Sequence, residues 1–154
     1  MSTNTKASMA AKEFAQRWAG DFVGEKQETQ SFWNDLLFSL FGILPSEHFL
    51  EPEKPVKVDG NDKYIDIYLS SSKVLIEQKG SKVDLHKPIH QSGDIYLTPF
   101  EQALRYKNSL PQSEVPLYIV TCNFHTFEVY NMNRPNDPPE LIQLANLEKE
   151  YYRY

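Results

Sequence analysis

Apolar residues recur at helical spacing twice in the first 42 positions. In "MAAKEFAQRWAG", Ala10, Phe14 and Trp18 share one stripe and Gly20 stops it, which predicts a short helix from Met9. In "EKQETQSFWNDLLFSLFG", Phe32, Trp33, Leu36, Leu37, Leu40 and Phe41 form a stronger stripe that ends at Gly42. A proline-punctuated connector follows, "ILPSEHFLEPEKPVKVDGND", with a short strand expected around Val56. The pattern then shortens. "KYIDIYLSSSKVLIEQKG", Lys63 to Gly80, reads as two strands around a serine turn. A polar loop is expected from Gly80 to Tyr96, then a helix over "TPFEQALRYKNSL" with Thr98 as its N-cap and Pro99 in its first position. "VPLYIVTCNFHTFEVYNM" reads as two strands around "NFH", and the tail as a loop, a short strand and a terminal helical turn. Residues 1–9 are expected to be a disordered lead-in and residues 10–154 one domain. The element order predicts an α/β architecture in which helices flank a mixed central sheet.

Composition narrows the class without naming it. A chain of 154 residues, 40% hydrophobic and 24% charged, suits one folded domain. The net charge of -5 shows no general affinity for nucleic acid, although it leaves room for a local basic cleft. One cysteine, Cys122, excludes an internal disulfide and fits a reducing compartment. No apolar run reaches membrane-spanning length and the first residues lack a signal-peptide core, so a cytoplasmic protein is expected, with no membrane partner. His48, His86, His90 and His125 lack zinc-like spacing, because a proline interrupts "HKPIH".

The hairpin carries the candidate chemistry. With Ser71-Ser72 as a two-residue turn, Asp66 stands directly opposite Glu77, and Lys79 shares the Glu77 face; a three-residue turn would make the acids diagonal neighbours. Like charges placed opposite each other cost roughly 0.2–1 kcal/mol. A hard divalent cation such as Mg²⁺ or Mn²⁺ removes that penalty and suits oxygen donors. The simpler alternative is an exposed Asp66 and a solvated Glu77–Lys79 pair on an edge strand, since E-x-K is built from common residues. Glu28 lies on the apolar stripe of the second helix and needs a partner, either a lysine or the same cation. Gln102 and Tyr106 stand one helical turn apart and can face one site, although alone they describe an aromatic tucked against a sheet.

Asp66 followed by Glu77-x-Lys79 resembles the PD-(D/E)XK nuclease signature, and "QALRY" resembles the Gln-x-x-x-Tyr motif of one branch of that superfamily. More widely, "EKQETQSFW", "LEPEKPV", "VLIEQKG", "LTPFEQALRY", "VTCNF" and "EKEYYR" resemble the N-terminal nuclease domain of MmeI-like restriction enzymes, from about Ala10 onward. Those enzymes join an endonuclease to an adenine-N6 methyltransferase and a target-recognition domain. The resemblance implies a restriction-endonuclease-like fold that hydrolyses phosphodiester bonds of double-stranded DNA with Mg²⁺, Mn²⁺ substituting. It implies Asp66, Glu77 and Lys79 as catalytic residues and Asp66, Glu77, the Gln78 carbonyl and Glu28 around the metal. Gln102 and Tyr106 would orient active-site groups or the DNA backbone. Ile65 stands where the motif usually has proline. "NDPPE" is no methyltransferase motif, because Glu140 replaces the aromatic and no glycine-rich cofactor loop exists. The methyltransferase and recognition domains are therefore expected in a longer or companion chain, and double-strand cutting implies a transient dimer. The rivals are a catalytically silent scaffold of the same fold and a structure-selective repair nuclease, the latter expected to be strongly basic.

Overall fold

The computed structural model describes residues 3–43 and 50–150; His48 and the end of "EKEYYR" lie outside them. Helix α1 (Thr3–Arg17) opens six residues ahead of Met9, so residues 3–8, expected as a disordered lead-in, are helical. Helix α2 (Lys26–Phe41) follows the predicted stripe and ends at Gly42, whose φ of 66° is the left-handed conformation glycine adopts freely. Strand β1 (Leu50–Val58) is longer than the short strand expected near Val56, and it carries Pro52 and Pro55 at the edge of the sheet, where a missing N–H is tolerated. Asp59 and Gly60, at φ 51° and 81°, turn it into β2 (Asn61–Leu69). Strand β3 (Val74–Gln78) completes the hairpin.

The stretch expected as a polar loop contains a small separate hairpin, β4 (Ile89–Ser92) and β5 (Ile95–Leu97), turned at Gly93. Helix α3 (Pro99–Ser109) starts at a capping box in which Thr98 accepts from the Glu101 amide and the Glu101 side chain accepts from Thr98. Strands β6 (Tyr118–Cys122), β7 (Thr126–Asn131) and β8 (Glu140–Gln143) and helix α4 (Leu147–Glu150) follow among the described residues. The main sheet has the order β1-β2-β3-β6-β7-β8, with β3 and β6 parallel and every other pair antiparallel. This is the α/β arrangement with a mixed sheet that the element order predicts. Ala11, Phe14, Phe32, Trp33 and Leu147 from α1, α2 and α4 cover one face, against Ile67, Ile76, Val120 and Phe127. Ala103 and Tyr106 of α3 cover the other, against Ile65, Tyr68, Leu75 and Ile119.

Strand alternation breaks at one place. Ile67 packs beneath α1 and α2, whereas Ile65, which a regular strand would turn to the same side, packs beneath α3. On β1, between the partners of these two residues, Glu53 has a φ of 52°. The sheet is therefore kinked about Asp66.

The link between α1 and α2 is pressed against the chain just after β3. Ser81 donates its amide to the Phe22 carbonyl at 2.8 Å, and its Oγ accepts from the Phe22 amide at 2.9 Å. A Cβ on Gly80 would lie 2.8 Å from the Val23 carbonyl oxygen and 3.1 Å from that of Phe22. These are backbone atoms with little room to yield, so Gly80→Ala is expected to destabilise the chain by about 1–3 kcal/mol, measured by urea unfolding. An unchanged midpoint would show that the link can move away.

Candidate active site

The hairpin register sets the site. Ile67 pairs with Ile76, Tyr68 with Leu75 and Leu69 with Val74, so continuing the ladder places Asp66 opposite Glu77, the register of a two-residue turn. The backbone ladder stops at Ile67–Ile76. Beyond it, the Gln78 amide donates to Asp66 Oδ2 at 2.8 Å in place of a strand carbonyl. A strand residue turns its N–H and C=O to the same edge, so the Gln78 carbonyl also faces the Asp66 side. The Lys79 amide turns the other way and donates to the Cys122 carbonyl at 2.7 Å.

Four side chains gather here. Glu77 is 2% exposed, and its Oε1 lies 3.1 Å from Lys79 Nζ. Lys79 Nζ also donates to Gln102 Oε1 at 3.1 Å, and Gln102 Nε2 donates to the Tyr106 hydroxyl at 2.8 Å. The alternative of an exposed, solvated pair is thereby excluded for Glu77, which lies on an interior strand of the sheet. Glu77 Oε2 is buried with no hydrogen-bond partner.

Residues 9–154 match the family described as MmeI, N-terminal domain. The chain belongs to that family. No curated protein and no solved structure matches it.

One of the expected ligands behaves differently in this MmeI N-terminal domain, and another contributes as expected through its backbone. Glu28 is not brought to Asp66 and Glu77. Its Oε1 accepts from the Gly24 and Glu25 amides, both at 3.1 Å, closing the capping box of α2. One oxygen of this carboxylate is thus satisfied by two amides at a helix N-terminus, a kind of partner not among the two expected. Through Gly24, which stands against Gly80, Glu28 instead supports the backbone that follows Lys79. The Gln78 side chain points away from the acids, accepting from Trp33 Nε1 at 2.7 Å and donating to the Lys79 carbonyl at 3.1 Å, which leaves the backbone as its only contribution. Among the described residues no cluster of three or more acidic, histidine or cysteine side chains suits a metal, so any cation here rests on two carboxylates plus carbonyl and water oxygens. That donor set is what Mg²⁺ accepts.

Sequence reasoning missed the neighbours of this pair. Glu53 sits at the kink close enough for its charge to push Asp66 upward, while Lys26 neutralises it at 2.6 Å. Thr121 pairs with Glu77 on one side and with Glu128 on the other, so a polar row crosses three strands. Only Glu128, set between Phe127 and Val129, hinted at this. His86 contacts Glu128, while His90 and His125 hydrogen-bond the carbonyls of Gly93 and Gly20.

Burial dominates the electrostatics of the two acids. It raises the Asp66 carboxyl against the opposing pull of the Gln78 amide and Lys79. Burial, then the Asp66 charge, pushes Glu77 up to about 8; the Lys79 ion pair pulls the other way without prevailing. Burial and the Glu77 charge raise the Tyr106 hydroxyl to about 12. Without a cation, Glu77 thus holds its proton in the native state between its ordinary value of 4.5 and about 8, where the unfolded chain has lost it. Native stability contributed by that proton is full below the ordinary value and is lost as pH rises through the window. In metal-free buffer, Glu77→Gln is therefore expected to stabilise the domain by roughly 1–3 kcal/mol at the alkaline end and to have no effect at the acid end. Denaturant titrations across pH check this. A variant that is less stable than wild type throughout would show Glu77 to be satisfied as an anion.

Proposed function

We propose that this domain is a metal-dependent DNA endonuclease of the PD-(D/E)XK type, the cleavage module of a restriction-modification enzyme. The observation that carries the reading is the adjacent Asp66–Glu77 pair, with Glu77 buried and its Oε2 receiving no hydrogen bond from a neighbouring donor group, beside a lysine held by two acceptors. Held this close, the two acids can both ionise only when a cation offsets their charges, and without one Glu77 keeps its proton, so a divalent cation is the ligand that suits the pair. Membership of the MmeI N-terminal domain family supports the same direction, as does the order of Asp66, Glu77, Lys79, Gln102 and Tyr106 along the chain.

Asp66, Glu77 and the Gln78 carbonyl would hold Mg²⁺, with Mn²⁺ substituting. When bound, the cation supplies Lewis acidity toward phosphate oxygens and neutralises charge at the reacting phosphorus. Lys79 places its ammonium beside Glu77, where it orients a water for attack on the phosphodiester and stabilises the negative charge that grows on phosphate. Gln102 fixes Lys79 Nζ from the α3 side and is itself fixed by the Tyr106 hydroxyl, so the lysine reaches the phosphate in one orientation. Water adds to phosphorus as the bond to the leaving alkoxide breaks, giving two ends in place of one diester. Double-stranded DNA is the substrate, and cutting both strands requires two copies. The methyltransferase and target-recognition functions belong to other domains. Among the described residues no helix is long and apolar enough to cross a membrane.

Nicking of supercoiled plasmid tests the reading. With Mn²⁺ or Mg²⁺ the wild-type chain is expected to convert supercoiled to open-circular DNA, and chelator stops it. Asp66→Ala and Glu77→Ala remove the activity, while Lys79→Ala lowers it by about 10²–10³-fold. No nicking by a folded wild-type chain in either metal, or nicking that survives all three substitutions, would leave the fold as a silent scaffold.

A further inference from the structure

The chain that leaves β3 is basic and fastened down. From Lys79 to Pro88 it reads "KGSKVDLHKP", three lysines and a histidine against one aspartate, in a chain of net charge -5. Its fastenings come from four directions. Ser81 is bonded to Phe22 through both its amide and its hydroxyl. Asn123 Nδ2 donates to the Val83 carbonyl at 2.9 Å. Leu85 is buried. Asp84 accepts from the His86 amide at 2.9 Å, and its carbonyl accepts from Lys87 at 3.3 Å, so the one acid in the segment is engaged in its own turn.

The fourth fastening is the unusual one. Glu128 is 1% exposed on β7, where Tyr130 donates its hydroxyl at 2.8 Å and Thr121 approaches at 3.5 Å. Its remaining partner is His86 Nε2, on a side chain 67% exposed. A buried carboxylate is costly unless hydrogen-bonded and paired, and here an outer loop supplies the partner. The pair anchors the far end of the loop two strands away from Glu77, on the same face of the sheet.

Lys82 and Lys87 are the charges this framework displays. Both are exposed and, like Lys12, Lys63, Lys73 and Lys107 among the described residues, take part in no ion pair; what sets them apart is their place on this fastened segment directly after Lys79. Unpaired ammonium groups on a rigid loop keep their electrostatic potential for a ligand and lose little entropy on binding one. Five residues extend at most about 17 Å, enough for several phosphates of one DNA strand.

We infer that the segment Gly80–Pro88, pinned by the His86–Glu128 contact, is a phosphate-binding ridge that lays the backbone of duplex DNA alongside the site, with Lys82 and Lys87 as its contacts. This rests on the endonuclease reading for its substrate, but its test does not involve cleavage. Binding of a short labelled duplex is followed by fluorescence anisotropy over a range of salt in the presence of chelator. Lys82→Gln with Lys87→Gln is expected to weaken binding and lower the salt slope by about 2, with the thermal midpoint unchanged. Lys12→Gln with Arg134→Gln makes the same charge change elsewhere and should leave the slope near that of the wild type. Glu128→Gln gives an opposite-sign check. It makes the chain more positive, so bulk electrostatics predict tighter binding, whereas a released ridge binds more weakly. Failure of the wild type to bind at low salt, equal slopes for the two double variants, or tighter binding by a folded Glu128→Gln chain would overturn the ridge. None of these outcomes depends on the cation site, so the ridge can fail while nicking stands, and the reverse.

Discussion

One hydrogen bond fixes the position of everything else in the site: the Gln78 amide donating to the carboxylate of Asp66. It takes the place of the next rung in the β2–β3 ladder and holds Asp66 across from Glu77 where the two strands part. The kink at Glu53 makes that parting possible, because it lets Ile65 and Ile67 pack on opposite faces and leaves Asp66 between them. The result is a pair of adjacent acids, Glu77 buried and Asp66 partly buried with the Gln78 amide bound to it. Lys79 compensates part of the charge and Gln102 steadies Lys79. Burial and the Asp66 charge keep Glu77 protonated up to about 8 when no cation is bound.

The surrounding elements meet at this point from both sides of the sheet. On one face, the short link after α1 packs against Gly80 so closely that a methyl group has no room, and Glu28 holds that link by capping α2. On the other, the capping box at Thr98 and Glu101 sets the start of α3 and hence the height at which Gln102 and Tyr106 stand. A basic loop then leaves the site in the direction of Glu128. Rigid supports on both faces are what a site needs when its chemistry depends on a lysine held in one orientation.

Much of this was legible in the sequence, for identifiable reasons. The stripe through Phe32 and Leu36 and the Thr98–Pro99 start gave helices because period and cap agreed. The serine turn narrowed the register of Asp66 and Glu77 to two alternatives, and the pairing of Ile67 with Ile76 selects the one with the acids opposite each other. Other features depend on contacts distant in sequence. The role of Glu28 depends on two amides at its own helix end, which compete with any cation and carry no mark in an apolar stripe. The β4–β5 hairpin is too short to show an alternation. Its turn at Gly93 was the only local signal, as Asp59–Gly60 was for the β1–β2 turn. The meeting of His86 with Glu128 joins a loop and a strand 42 residues apart, which only the tertiary fold brings together.

Whether the acids are there for a cation is decided most directly by calorimetric titration of Mn²⁺ into the metal-free chain, with Asp66→Asn and Glu77→Gln as shape-preserving controls. A cation site at this pair predicts saturable binding by the wild type with release of a proton from Glu77, and its loss in both variants. Absence of binding by the folded wild type, or heats that are the same in all three chains, would contradict it.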